Sequence, residues 1–143
     1  MTLEDQLCFA LYSATISINR AYKPILDQLE ITYPQYLVLS TLWEEDGRKI
    51  GNIASRLTLD PSTITPLMKR LEKAGFVTRK RNDVDERQVH VFLTEAGRAL
   101  QDKSKCLGET LAAASGMKLE QLDHITSQLH DFCSSVDAYT QTK

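Results

Sequence analysis

Three cysteines, Cys8, Cys106 and Cys133, and three histidines, His90, His124 and His130, are the side chains here best suited to redox or metal chemistry. Thiolates attack peroxides, and thiolates with imidazoles bind zinc. The spacing limits both. An odd number of cysteines without paired spacing does not describe a disulfide framework. His130 and Cys133 stand on one helix face, yet nothing supplies the remaining ligands of a zinc site. Cys8 lies beside Leu7, Phe9 and Leu11, where a free cysteine is by default a small buried hydrophobe, and burial is also the default for Cys106 and Cys133. No Ser/His/Asp set or carboxylate pair stands out, and the glycines show neither dinucleotide-binding nor Walker spacing. The residues give no support for turnover, and no cofactor is expected.

A second chemistry is the pairing of cations with phosphate. Residues 48–93 hold ten Lys/Arg against five Asp/Glu, a net of +5 in a chain of net −2, so the remainder carries −7. A lone charge run is usually a solvated face, but a basic island in an acidic protein is the footprint of nucleic-acid binding.

The elements that would position these charges can be read from the same stretch. Asp60-Pro61 is a helix start, with Asp as N-cap and Pro at the first position. Ile64, Leu67, Met68 and Leu71 then recur at three- and four-residue steps as a buried stripe, leaving Ser62, Thr63, Thr65, Lys69 and Arg70 mostly off it. Ile50, Ile53, Ala54 and Leu57 form a preceding helix, separated only by Thr58-Leu59-Asp60, which is helix-turn-helix spacing. Gly75 closes the second helix. Val77-Thr78 leads into Arg79, Lys80 and Arg81, and a polar run from Asn82 to Arg87 connects to Val89, Val91 and Leu93, which share a face. Helix, turn, helix and hairpin make a winged-helix unit, whose hydroxyl- and cation-rich helix face suits a major groove. Pro66, inside the second helix, breaks a local rule at a cost on the order of 3 kcal/mol, and a bend of the exposed face is expected there.

Around this unit, Leu7, Leu11, Ala14, Ile18, Tyr22, Ile25 and Leu29 space a helix over residues 3–29, with a kink or break expected near Ala21 to Lys23 because of Pro24. Thr32 or Tyr33 with Pro34 starts the next helix, expected to bury Tyr36, Leu37, Leu39, Leu42 and Trp43. After the wing, Thr94-Glu95 starts a helix predicted to run to about Ala114. Leu122, Ile125, Leu129, Phe132, Val136 and Tyr139 form a heptad-like seam. The chain is therefore read as mainly α with a small β-hairpin wing, one domain over 1–143. Its winged-helix unit spans 31–100, and 1–30 with 101–143 form a helical dimerisation lobe. No segment is apolar enough for a signal peptide or membrane span, so a cytoplasmic location without membrane partners is expected.

The run DPSTITPLMKRLEKAGFVTRKRNDVDER, followed by LTEAG, resembles the winged helix of MarR-type bacterial transcription regulators, including their Asp85-Glu86-Arg87 wing signature. The run QLCFALYSATISINRAYKPILDQLEITYPQYLVLSTLWE is similar to the organic-hydroperoxide-sensing branch of that family, and the resemblance covers nearly the whole chain, weakening after about residue 100. The resemblance implies a homodimer on a pseudo-palindromic double-stranded operator. Ser62, Thr63, Thr65, Lys69 and Arg70 would face the major groove. Arg87 would reach the minor groove, oriented by Asp85, and Arg79, Lys80 and Arg81 would add phosphate contacts. It reverses the reading of Cys8, because it implies that the hydroxyls of Tyr22 and Tyr33 of the partner subunit stand against the sulfur and make it reactive toward an organic hydroperoxide. Related two-cysteine sensors carry a resolving cysteine where this chain reads Leu111-Ala112-Ala113-Ala114-Ser115. That favours one-cysteine behaviour, with a small-molecule thiol in a mixed disulfide, while a disulfide within the dimer using Cys133 or Cys106 as the resolving residue stays open. Two other functions stay open: the same scaffold switched by a non-covalent aromatic ligand, and a thiol peroxidase using Cys8. The latter is least favoured because a peroxidase needs neither recognition helix nor wing.

Overall fold

The computed structural model describes residues 1–85 and 87–142. Glu86, the middle of the expected wing signature, lies outside the described residues, as does Lys143. The chain divides into two compact units, Met1–Cys106 and Leu107–Lys143.

In the first unit, α1 (Leu7–Leu29) and α2 (Tyr33–Glu44) precede a short strand β1 (Arg48–Lys49), the helix pair α3 (Ile50–Arg56) and α4 (Pro61–Lys73), the hairpin β2 (Val77–Arg81) and β3 (Val89–Leu93), and α5 (Glu95–Ser104). The start of α2 is fixed by a reciprocal cap: Thr32 Oγ1 accepts from the Gln35 N–H at 3.3 Å, and Gln35 Oε1 accepts from the Thr32 N–H at 2.8 Å. Val38, Leu39 and Leu42 are buried beneath it, whereas Tyr36, Leu37 and Trp43, expected in the core, are only half-buried. Trp43 lies at the edge because its indole N–H donates to the Gly97 carbonyl at 3.0 Å.

The α4 stripe is buried as its spacing predicts, with Ile64, Leu67, Met68 and Leu71 at 1, 6, 0 and 0% exposure. Asp60 has the extended cap conformation but its side chain makes no cap hydrogen bond, so Pro61 carries the helix start alone. At the far end the Phe76 N–H donates to the Leu71 carbonyl (3.1 Å) and the Gly75 N–H to the Glu72 carbonyl (3.0 Å), with Gly75 at φ +85°. The same closure ends α3, where Leu59 donates back to Ala54, but the left-handed position is held by Thr58 at φ +54°. A β-branched residue there is strained.

The sheet is antiparallel in the order β1-β3-β2, with Val77 opposite Leu93 and Arg81 opposite Val89. Alternation turns Val77, Val91 and Leu93 inward. Strand β1, which two residues could not announce in the sequence, pairs Arg48 with Val91 and Lys49 with His90. The Leu93 N–H donates to Asp46 Oδ1 at 2.8 Å, and Arg98 Nη2 donates to Asp46 Oδ2 at 3.0 Å, tying wing to α5. A side chain at Gly97 would place its Cβ 2.2 Å from the Phe76 carbonyl oxygen, so only glycine lets α5 lie this close to the chain leaving α4.

Two further expectations, both about helix continuity, are corrected. Helix α1 runs unbroken through Pro24 to Leu29. Pro24 and Arg20 are both exposed, so the Arg20 carbonyl, which loses its helical donor, faces water rather than the core. The helix after the wing is interrupted at Lys105, whose N–H turns to the Asp102 carbonyl at 3.4 Å, and restarts as α6 (Cys106–Ser115). The last helix, α7 (Leu119–Gln141), buries none of its residues; Ile125, Phe132, Val136 and Tyr139 are 39, 43, 44 and 59% exposed.

Candidate nucleic-acid interface

Burying one stripe of α4 turns Ser62, Thr63, Thr65, Pro66, Lys69 and Arg70 to the outside, and all six are exposed. The helix continues through Pro66. Thr65 Oγ1 donates to the Pro61 carbonyl at 3.0 Å, which fixes the hydroxyl with its lone pairs free to accept. Among the described residues no carboxylate pairs with Lys69, Arg70, Lys80 or Arg81.

The wing tip is built from Asx hydrogen bonds rather than packing. Asn82 Oδ1 accepts from the N–H groups of Val84 (2.8 Å) and Asp85 (3.3 Å), and the Asn82 N–H donates to the Gln88 carbonyl (2.8 Å). Asp85 Oδ1 accepts from the Arg87 N–H at 3.1 Å and lies 3.7 Å from Arg87 Nε. The Arg87 side chain is 95% exposed, so this pair aims a cation that remains almost wholly in solvent. Arg79 is placed differently: its Nε and Nη2 donate to Glu72 at 3.2 and 3.1 Å, so its guanidinium is already engaged.

A cavity of about 440 Å³ lies between the wing and the helix pair, and Lys49, Asn52, Thr65, Arg87 and Gln88 contribute to its lining. Lys49 and Asn52 escaped the sequence reading because their position depends on β1. Arg48 fastens that strand through Nε to the Thr41 carbonyl (2.9 Å) and Nη1 to Asn52 Oδ1 (2.9 Å).

The cysteine and tyrosines named in the sequence lie far apart in one chain. Cys8 is exposed on the first turn of α1. Tyr22 is on the same helix, and a rise of about 1.5 Å per residue separates the two by roughly 21 Å. Tyr22 is buried and its ring centroid is 6.0 Å from that of Tyr33, which lies 5.9 Å from Tyr36, itself 5.9 Å from Trp43. Burial, and then the neighbouring Tyr33 and Tyr36, push the Tyr22 phenol above its ordinary value; burial and Tyr36 do the same for Tyr33. Both are therefore neutral hydrogen-bond donors near neutral pH. Cys106 is half-buried with Sγ 3.5 Å from the Lys103 carbonyl, and Cys133 is exposed on α7. No helix among the described residues is long and apolar enough to cross a membrane.

Residues 20–104 match the family described as "Transcriptional regulator SarA/Rot". The chain is 48% identical over 143 residues to the HTH-type transcriptional regulator TtmR of Methylorubrum extorquens, covering 95% of this chain and 73% of that protein. It is 43% identical over 130 residues to the organic hydroperoxide resistance transcriptional regulator of Bacillus subtilis, covering 91% of this chain and 88% of that one. Among solved structures, reduced AbfR bound to DNA superposes with a TM-score of 0.76 at 34% identity, covering 94% of each chain.

Proposed function

We propose that this chain, which belongs to the SarA/Rot family of MarR-like winged-helix transcriptional regulators, is a dimeric DNA-binding repressor that releases its operator when an organic hydroperoxide oxidises Cys8. The observation that carries the DNA-binding half is α4, whose buried stripe turns Ser62, Thr63, Thr65, Lys69 and Arg70 outward beside a wing that presents Arg81 and Arg87. Those hydroxyls and cations can reach base edges in a major groove, and the wing cations can reach phosphate or a minor groove. The DNA-bound state of AbfR, a relative of the same fold, supports this reading.

The sensing half rests on the similarity to the organic hydroperoxide resistance regulator. About 21 Å of helix separates Cys8 from Tyr22 within one chain, and the resemblance to the hydroperoxide-sensing branch implies that Tyr22 and Tyr33 of the partner subunit complete the redox site. Two neutral phenols donating to the sulfur favour its thiolate. The thiolate attacks the hydroperoxide: an S–O bond forms, the O–O bond breaks, and the alcohol leaves with the proton. A small thiol then displaces the sulfenic oxygen as water, leaving a mixed disulfide. A larger, polar group in a packed helical interface shifts it to another arrangement and changes the spacing of the two α4 helices. The similarity to the hydroperoxide resistance regulator supports the choice of oxidant.

A gel shift with and without one equivalent of organic hydroperoxide tests the proposal. Cys8→Ser is expected to bind operator as the parent does and to ignore the oxidant, while Tyr22→Phe and Tyr33→Phe respond slowly. Release of Cys8→Ser as readily as the parent would move sensing away from Cys8. Arg70→Ala and Arg87→Ala are each expected to lose about 1–3 kcal/mol of operator affinity, and unchanged affinity in both would refute the docking.

A further inference from the structure

Helix α4 and strand β2 together carry six basic residues, Lys69, Arg70, Lys73, Arg79, Lys80 and Arg81, and a single acidic one, Glu72. Glu72 stands in the last turn of α4, where a carboxylate opposes the helix dipole, so its place is not explained by helix stability. It grips Arg79 with both oxygens, at 3.1 and 3.2 Å. Arg79 and Arg81 alternate along β2 on the side that also turns Val77 inward, and Glu72, Arg79, Arg81 and Val89 line one depression. The hydrogen bond from Arg79 holds the Glu72 carboxyl below its usual range, so the grip is present throughout the neutral range. Both side chains are partly exposed, at 30 and 39%, and pairs of that kind contribute little to stability.

We propose that Glu72 limits the sequence-independent DNA affinity of this protein by withholding Arg79 from phosphate. The inference rests on the DNA-binding reading above and adds a residue that works against binding. A guanidinium held by two carboxylate oxygens has its forked donors occupied and cannot offer them to a phosphate at the same time. Binding to arbitrary sequence depends almost wholly on phosphate neutralisation, so removing one cation from that total lowers it and leaves base reading to hold the protein at its operator.

The test measures binding of the full-length protein to a labelled duplex of arbitrary sequence across a salt series. Glu72→Gln is expected to tighten binding and to steepen the slope of log K against log salt by about 0.9, so that its advantage over the parent shrinks about 3.5-fold between about 50 and 200 mM salt. Adding Arg79→Gln to Glu72→Gln should return the slope to the parent's. Arg79→Gln made alone should alter the slope less than it does in the Glu72→Gln background. A slope unchanged by Glu72→Gln would overturn the inference. So would a gain that survives Arg79→Gln, since that would trace it to the loss of a carboxylate charge rather than the release of Arg79. A parent protein showing no salt-dependent binding to any duplex would instead refute the DNA-binding reading itself.

Discussion

Helices α4 and α7 carry the same kind of pattern and meet opposite fates. Each places apolar residues at three- and four-residue steps, but α4 buries Ile64, Leu67, Met68 and Leu71 while α7, ten residues longer at 23 against 13, buries none. Its seam leaves Ile125, Phe132 and Val136 about two-fifths exposed. The stripe of α4 is satisfied by the wing and by α2 and α3 of its own chain, which completes a reading surface in a single copy. Helix α7 presents an apolar seam at the surface of the chain, and the N-terminal half of α1 resembles it, with Leu7 and Tyr12 more than half exposed. A periodic stripe thus says that a helix will be covered; it does not say by which chain. In the proposed dimer the covering element is a second copy, the same copy that supplies the tyrosines to Cys8.

The contrast can be broken most decisively at the buried stripe. Met68→Ala removes a fully buried side chain and should cost about 2–5 kcal/mol in chemical denaturation; a cost near zero would mean that α4 is not packed as described. The matching experiment on α7 is Phe132→Asp, which should convert the dimer to monomer in sedimentation equilibrium while leaving the far-ultraviolet circular dichroism of the helices largely in place. A Phe132→Asp protein that sediments like the parent would remove α7 from the interface. A smaller effect is expected at the turn leading into α4, where Thr58→Gly relieves the φ of +54° and should stabilise the chain by about 0.5–1 kcal/mol after the added freedom of the unfolded glycine is counted.

The smallest effect concerns the buried end of α1. Tyr22 and Tyr33 hold their protons above the ordinary phenol value of 10.0. Below that value both folded and unfolded chains keep the protons and the tyrosines contribute no pH dependence. Above it the unfolded chain loses them first, so stability falls as pH rises toward the folded values. Phenolate absorbance should show Tyr22 and Tyr33 titrating above the ordinary phenol value, and their titration at that value would place both in solvent.

Much of the reading unit was legible because its determinants are local. The α4 stripe, the closure at Gly75, the cap at Thr94 and the alternation of Val89, Val91 and Leu93 each follow from backbone preference and side-chain period within a few residues. The outward placement of the basic island follows from the same periods, which alone put Ser62, Thr63, Thr65, Lys69 and Arg70 off the buried stripe of α4. What the sequence could not decide depends on contacts distant along the chain. Strand β1 exists only because β3 offers it an edge, so Lys49 and Asn52 went unnoticed. Pro24 stays inside α1 because its turn faces solvent, a fact of tertiary placement. The division of labour among the cations was hidden as well, since Arg79 and Arg81 look alike in sequence. Only the folding of β2 against α4 brings Glu72 within 3.1 Å of Arg79, and among the described residues that grip separates Arg79 from Arg81, which pairs with no carboxylate.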